Sequence, residues 1–145
     1  MQINNNFTII NNKVYQLTQI ENSWYISYEG TEKLDGFNNY KDNHFIKAIP
    51  SESITNSFYQ KAIAYIGNTG FLIVSEFPTG IFNLFTDEKD LASKNGFNMV
   101  GQFEFYKECS LDEIDSICFL RTISKLPFPY PDGLPDRELI YSNKN

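Results

Sequence analysis

Residues 70–106 have the strongest strand-forming pattern in the chain, and they restrict the fold to one built around an antiparallel sheet. Phe71, Leu72, Ile73 and Val74 form an uninterrupted apolar run, which is typical of a central strand covered on both faces. The whole stretch predicts a strand, a tight turn, a strand, a short helix and a third strand, at residues 71–77, 78–80, 81–85, 86–95 and 99–106. We therefore expect the other elements to pack onto this sheet.

The N-terminal part of the chain predicts a meander of strands. Alternating apolar and polar residues predict strands at residues 7–10, 14–20, 24–28 and 44–49. Asn11 and Asn12 suit the first turn, because asparagine tolerates the positive φ that a two-residue hairpin turn requires. Within the third of these strands Trp24, Ile26 and Tyr28 are expected to share one face, because side chains alternate along a strand.

Two amphipathic helices are predicted to pack on the sheet. The second begins with a capping box formed by Ser110 and Glu113 and runs to about Leu126. The first begins near residues 51–53, ends at Gly67 and has apolar residues at steps of four, at Ile54, Phe58, Ala62 and Ile66. The predicted fold class is therefore α+β: a single domain whose antiparallel sheet, an N-terminal meander plus a central hairpin, carries two main helices.

The C-terminal end is expected to be extended and irregular. Residues 127–135 hold four of the six prolines, and proline lacks the N–H that regular sheet pairing needs. We expect this segment to run over the surface, residues 136–141 to form a last strand or turn, and residues 142–145 to fray. No linker or repeat divides the chain, so residues 1–145 are predicted to form one domain.

Composition and charge restrict the class of function. The net charge of −6 argues against nucleic acid or an anionic membrane as the partner, because both require basic surfaces. No signal peptide or membrane-spanning stretch is predicted. Cys109 and Cys118 would lie nine positions apart on the predicted second helix, too far apart for a disulfide, which favours reduced thiols and a cytoplasmic location.

No catalytic, metal or cofactor site is predicted. His44, Cys109 and Cys118 provide three zinc-type donors without the close pairs that zinc sites use. A Cys–His nucleophilic pair remains open on sequence grounds, although acids near Cys109 oppose a lowered thiol pKa. The glycine-containing connector at residues 67–70 lacks the lysine and the strand-to-helix order of a phosphate-binding loop. We expect a protein that is not an enzyme.

The acidic residues form the clearest functional feature. The predicted partner-binding patch consists of one aromatic and five acidic residues, which are Glu104, Tyr106, Glu108, Asp112, Glu113 and Asp115. Alternation places the first three on the solvent face of a strand, opposite a face with Met99, Gly101, Phe103 and Phe105. Secondary candidates are Asp87, Glu88 and Asp90. Such a patch suits a basic protein partner, since complementary charge accelerates and selects association.

Two simpler explanations of these acids stay open. The acids can be a solvated strand edge followed by carboxylates that the helix dipole favours. Paired carboxylates can also bind Mg²⁺, although no lysine or arginine cluster for phosphate accompanies them here.

In size, acidity and asparagine- and aromatic-rich composition, the chain resembles the small acidic cytosolic immunity proteins of bacterial polymorphic-toxin and contact-dependent growth inhibition systems. The resemblance implies a protein that binds a cognate toxin domain, often a basic nuclease, and covers its active or substrate-binding surface. No single residue carries it.

Two other classes of function are compatible with the sequence. One is a small-molecule-binding or enzymatic domain with an aromatic-lined pocket, for which the candidates are Trp24, Tyr28, Phe82 and Phe103. The other is a structural protein or a phage accessory protein that acts by self-association. A large apolar cavity would favour the pocket, and a concentration-dependent mass would favour self-association.

Overall fold

The computed structural model describes residues 4–77 and 79–143, and within them the protein consists mainly of antiparallel strands. Strands account for 56% and helices for 9% of it, so the predicted α+β class with two main helices is wrong. The α-helix of the described residues, α1 (Lys89–Asn95), confirms the short helix predicted at residues 86–95. The strands are β1 (Asn5–Ile10), β2 (Lys13–Ile20), β3 (Ser23–Glu29), β4 (Asn38–Lys41), β5 (His44–Ile49), β6 (Phe58–Ile66), β7 (Thr69–Glu76), β8 (Ile81–Thr86), β9 (Asn98–Gly101), β10 (Glu104–Ser110), β11 (Ser116–Thr122) and β12 (Arg137–Ser142).

All the strands of the described residues belong to one branched sheet. Its main order is β4-β5-β3-β2-β1-β6-β7-β8-β10-β9. The branch point is β6, which pairs along one edge with β1 and then β7, and along the other edge with β11. The second branch ends at β12, which pairs with β11. We call β1–β5 the N-terminal half and β6–β12 the C-terminal half.

The predicted helix over residues 51–66 is wrong, because this segment is a 3₁₀ turn, Ser51–Ser53, followed by strand β6. Steps of four are even, so they match the two-residue period of a strand as well as the turn of a helix. Phe58, Ala62 and Ala64 are buried on one face of β6, whereas Tyr59 and Ile63 lie on the other. Aromatic and β-branched residues at these positions favour the strand.

The predicted helix from Ser110 to Leu126 is also wrong. The capping box forms, with the Ser110 N–H donating to Glu113 Oε2 at 3.0 Å, but it begins only a 3₁₀ turn, Leu111–Glu113. Strand β11 then follows and pairs with β6 through seven residues. Since Cys109 lies in β10 and Cys118 in β11, the two thiols do not share a helix; both are buried and free.

The third strand predicted in the central stretch is instead a hairpin of β9 and β10. Phe103 has φ +57° at the turn, and its side chain is 63% exposed. Met99 and Val100 are also exposed, so the predicted buried face of Met99, Gly101, Phe103 and Phe105 is wrong except for Phe105. The turn reverses the chain, and alternation cannot continue across it.

The core of the N-terminal half lies on one face of the sheet. It contains the buried side chains of Tyr15, Leu17, Trp24, Ile26, Phe37, Phe45 and Ile54. Thr8 lies opposite Tyr15, and Asn6 lies opposite Tyr59, so this face continues into β6 at Tyr59. Directly opposed residues of paired strands point to the same side of the sheet, which makes the assignment independent of the sheet's twist.

The core of the C-terminal half lies on the other face. It contains Ala62, Ala64, Phe71, Ile73, Phe82, Leu84, Cys109, Ile114 and Ile117. Leu91 of α1 and Phe97, which follows the helix, pack against it. Gly96 ends α1 with φ +75°, and Lys107 Nζ donates to the Asn95 carbonyl at 2.9 Å, which satisfies the exposed end of the helix. The sheet is thus buried on alternate faces.

A proline-rich segment, residues 127–136, connects β11 to β12 and ties the two halves together. Phe128 packs edge-on against Trp24 with ring centroids 5.0 Å apart. The Ser57 N–H donates to the Pro129 carbonyl at 2.9 Å. Arg121, buried in β11, donates to Gln60 (2.8 Å), to the Pro135 carbonyl (3.0 Å) and to Glu138 (2.6 Å). The segment is extended, as the prolines predicted.

The predicted last strand is confirmed by β12, and the predicted frayed end begins later than residue 142. Ser142 belongs to β12, and the Asn143 N–H donates to the Asp115 carbonyl at 2.8 Å. Residues 144 and 145 lie outside the described residues.

Candidate binding face

A row of apolar side chains crosses the C-terminal half on the face opposite its core. We call it the apolar row. Its members are directly opposed from strand to strand across β10, β8, β7, β6, β11 and β12, and they are Tyr106, Phe85, Leu72, Ile63, Cys118 and Leu139. With strands about 4.8 Å apart, six strands make the row roughly 24 Å long.

The described residues leave this face uncovered, and we call it the open face. No member of the apolar row belongs to either core cluster. Leu139 is 60% exposed, and Ile63, Leu72, Phe85 and Tyr106 are half-buried, as expected for large side chains flanked only by their neighbours in the sheet. A contiguous apolar surface of this kind on a monomer is characteristic of an interaction site.

The β10 end of the open face is acidic. Glu104, Tyr106 and Glu108 alternate with buried Phe105 and Cys109, so the three predicted patch residues share the open face. The base between them, Lys107, points to the other face and caps α1. Both glutamates are exposed, and no salt bridge within the described residues neutralises either carboxylate.

The other predicted acids are distributed around this end and have different surroundings. Asp112 is exposed in the turn after β10, while Glu113 closes the capping box and Asp115 Oδ2 accepts the Gly67 N–H at 2.7 Å. These last two carboxylates therefore have structural roles. The secondary candidates Asp87, Glu88 and Asp90 are exposed at the junction of β8 and α1, beside the first residues of β10.

The β12 end of the open face is basic. Arg137 lies opposite Leu120, which lies opposite Lys61, and the Arg137 guanidinium donates to the Tyr65 hydroxyl at 3.0 Å and lies over its ring at 5.3 Å. This hydrogen bond raises the pKa of Arg137, so the group stays charged. Tyr65 lies opposite Ser116, two residues before Cys118. The Arg137–Tyr65 contact therefore spans Cys118, which accounts for the burial of this thiol on an open face.

The four aromatic residues proposed for a ligand pocket are not brought together. Trp24 and Tyr28 belong to or pack against the core of the N-terminal half, Phe82 belongs to the core of the C-terminal half, and Phe103 is at the exposed hairpin turn. A groove of about 460 Å³ does lie beside β10, lined by Asn83, Gly96, Asn98, Val100, Tyr106, Lys107 and Glu108. This groove widens the acidic end of the open face.

Neither cysteine has the surroundings of a nucleophile. Burial raises the pKa of the Cys109 thiol, and Lys107 lowers it by a smaller amount. His44 is in β5, where it contacts the Asp42 carbonyl and Glu29. Among the described residues, no three His, Cys, Asp or Glu side chains converge as metal ligands. In the same residues no helix is long and apolar enough to cross a bilayer.

Five of the six residues of the apolar row were not identified from the sequence. Ile63 and Cys118 were assigned to helices, which hid their alignment with Leu72 and Phe85. The odd-numbered residues 59 to 65 carry the signal, because they alternate with the buried even-numbered residues of β6.

These features define an antiparallel β-sheet protein with one apolar sheet face left uncovered. By sequence, the chain belongs to the family described as "Uncharacterised conserved protein UCP033725", whose model matches residues 2–125. The matched region ends before the proline-rich segment and β12. No curated protein and no solved structure matches the chain.

Proposed function

We propose that the protein is a non-enzymatic binding module whose open face docks a basic protein. In its specific form, the proposal is that it acts in the cytoplasm as an immunity protein and neutralises a cognate toxin domain, of the basic nuclease type, by covering its active or substrate-binding surface. The β10 end, with Glu104, Tyr106 and Glu108, makes the first contacts.

The observation that carries the proposal is the combination of an uncovered apolar row with acids at its β10 end. Apolar side chains supply the area that a stable interface buries, and the glutamates supply the charge that guides a basic partner. The direction of Lys107 strengthens this argument, because the one base of β10 is used on the opposite face. Tyr106 offers a rigid aromatic contact of the kind that dominates binding energy.

The mechanism needs no chemistry from this chain. Exposed carboxylates raise the rate of encounter with a positively charged surface, and the row then excludes water from the contact. A nuclease domain presents such a positive surface to its substrate, so a protein bound there blocks the substrate by occupancy. The affinity should fall as the salt concentration rises, because exposed charges are screened within about 10 Å at 0.1 M salt.

The first test compares two variants with the same net charge. Glu104→Lys with Glu108→Lys alters the acidic end, whereas Glu32→Lys with Asp42→Lys alters exposed acids of the N-terminal half. We expect the wild type and the second variant to capture the same basic protein from the source organism, and the first variant to bind it at least about tenfold more weakly. Equal binding by both variants would reject the acidic end as the interface.

The second test addresses neutralisation. The captured domain is expressed alone in a bacterial host, and growth is compared with co-expression of the wild type, the Glu104→Lys/Glu108→Lys variant or the Glu32→Lys/Asp42→Lys variant. We expect the domain to stop growth, and the wild type and the second variant to restore it. A captured domain that is harmless would contradict the immunity role and leave the binding role standing.

A further inference from the structure

We infer that the open face also binds a second copy of this chain, and that the resulting two-fold dimer is the state a basic partner must displace. The inference goes beyond the proposed function and does not rest on it. It rests on the distribution of charge along the apolar row, which is acidic at one end and basic at the other.

The two ends of the face are complementary to each other. Glu108 lies beside Tyr106 at the β10 end, and Arg137 lies beside Leu139 at the β12 end. The six strands of the row are successively antiparallel, so the residue after the row in β10 is on the same side as the residue before it in β12. Glu108 and Arg137 thus occupy the same side of the apolar row, at opposite ends.

This arrangement selects one orientation for the second copy. A two-fold axis parallel to the strands reverses the strand order without shifting the copies along the strands. It places Leu139 over the partner's Tyr106, Ile63 over the partner's Leu72, and Arg137 over the partner's Glu108. An axis perpendicular to the strands within the interface would instead place Glu108 near its own copy. Charge therefore favours the first axis, and a self-complementary patch is what a two-fold interface requires.

The size of the face predicts a weak dimer. Six strands about 4.8 Å apart, each contributing three residues about 6.8 Å apart, give roughly 500 to 600 Å² per copy and about 1,000 to 1,200 Å² in total. This is at the lower limit for specific interfaces, which bury about 1,200 to 2,000 Å². We therefore expect a reversible equilibrium with a dissociation constant in the micromolar range or above.

The test is a charge swap read by sedimentation velocity over a concentration series. Arg137→Glu sets two glutamates against each other in the homodimer, and Glu108→Arg sets two arginines against each other. We expect each single variant to dimerise at least about tenfold more weakly than the wild type. Lys13→Glu and Glu52→Arg, at exposed positions of the N-terminal half, serve as controls and should dimerise like the wild type.

Restoration identifies the pairing itself. An equimolar mixture of the two single variants should form a heterodimer, because both of its charge pairs are attractive. The double variant, Arg137→Glu with Glu108→Arg, should form a homodimer for the same reason. A wild type that is monomeric throughout, single variants that dimerise normally, or failure of both restorations would overturn the inference. Circular dichroism melts confirm that every variant is folded.

The double variant also separates the two proposals. It should dimerise again but bind the basic partner weakly, because Glu108 is replaced by a positive charge. Normal dimerisation without any basic partner would leave the dimer standing and reject the proposed function. A strictly monomeric protein that binds a basic domain would do the reverse.

Discussion

The same face of one sheet is covered in the N-terminal half and uncovered in the C-terminal half. Over the first, Ile54, Leu34, Phe37 and Phe128 close on the aromatic side chains of β2, β3 and β5. Over the second, the apolar row has no element of the described residues above it. The loop after β3 and the proline-rich segment thus provide cover for one half only.

The difference shows where the protein's stability and its binding reside. Apolar surface removed from water contributes about 25 cal/mol per Å², so the covered half gains this free energy on folding. On the open face, part of the same gain is available only when another molecule binds. Variants in the covered half should therefore change stability, and variants on the open face should change association.

The largest effect is expected for Arg121→Ala, which should make the covered half resemble the open one. Arg121 holds the proline-rich segment through the Pro135 carbonyl and Glu138, and its loss leaves Gln60 without this partner. Removing one partner of a buried ion pair costs about 3 to 5 kcal/mol, so urea unfolding should show a drop of about that size. The truncation should also expose Phe128 and Trp24 to a hydrophobic dye.

The control for this variant is Arg137→Ala, because Arg137 is exposed and bonds mainly to Tyr65. It should change the free energy of unfolding by no more than about 0.5 kcal/mol. Equal losses for the two arginines would show that the proline-rich segment is not what holds the cover in place.

Two leucines on the same face of the sheet provide a matched comparison of intermediate size. Leu17 is 2% exposed in the covered half, whereas Leu72 is half-buried in the apolar row. Leu17→Ala should lower the free energy of unfolding by about 3 kcal/mol, since it opens a cavity in a closed core. Leu72→Ala should lower it by about 1 kcal/mol, because solvent fills the space.

Association should show the opposite order for these leucines. Leu72→Ala removes a contact from the centre of the proposed dimer and should weaken it, while folded Leu17→Ala should dimerise normally. Chemical unfolding and sedimentation velocity measure the two effects separately. If Leu72→Ala destabilised the monomer as much as Leu17→Ala, the face would be covered in solution.

The N-terminal half could be predicted from the sequence, and much of the C-terminal half could not. Two-residue turns such as Asn11-Asn12, with φ of 51° and 64°, are local signals that determine the hairpin between β1 and β2. Strands β6 and β11 are covered on one face and flanked by large apolar groups on the other, so they lack a clean alternation. Their pairing joins residues about sixty positions apart, which local patterns do not report.

The candidate site divides in the same way. Glu104, Tyr106 and Glu108 were predicted because they alternate within one strand. Their neighbours across the sheet depend on register, and β8 contributes Phe85 only once its pairing with β10 is known. The capping box at Ser110 was a correct local signal with a wrong consequence, because a 3₁₀ turn uses the same bonds as the first turn of an α-helix.

The smallest effect distinguishes the two cysteines. Cys109 is in the covered core, and burial raises its pKa, so at a given pH less of it is thiolate and alkylation is slower. Cys118 is on the open face and is shielded by the Arg137–Tyr65 contact. Tyr65→Ala should therefore accelerate iodoacetamide labelling of Cys118 several-fold and leave Cys109 dependent on unfolding.

Peptide mass spectrometry measures both labelling rates in one sample, at a concentration where the dimer is dissociated. Cys118→Ser serves as the control, because its remaining label reports Cys109 alone. Unfolding in urea should bring both thiols to one rate, since each then has an ordinary pKa and full exposure. Faster labelling of Cys109 than of Cys118 in folded Tyr65→Ala would show that the core of the C-terminal half opens more readily than its open face, and would reverse the assignment of the two faces.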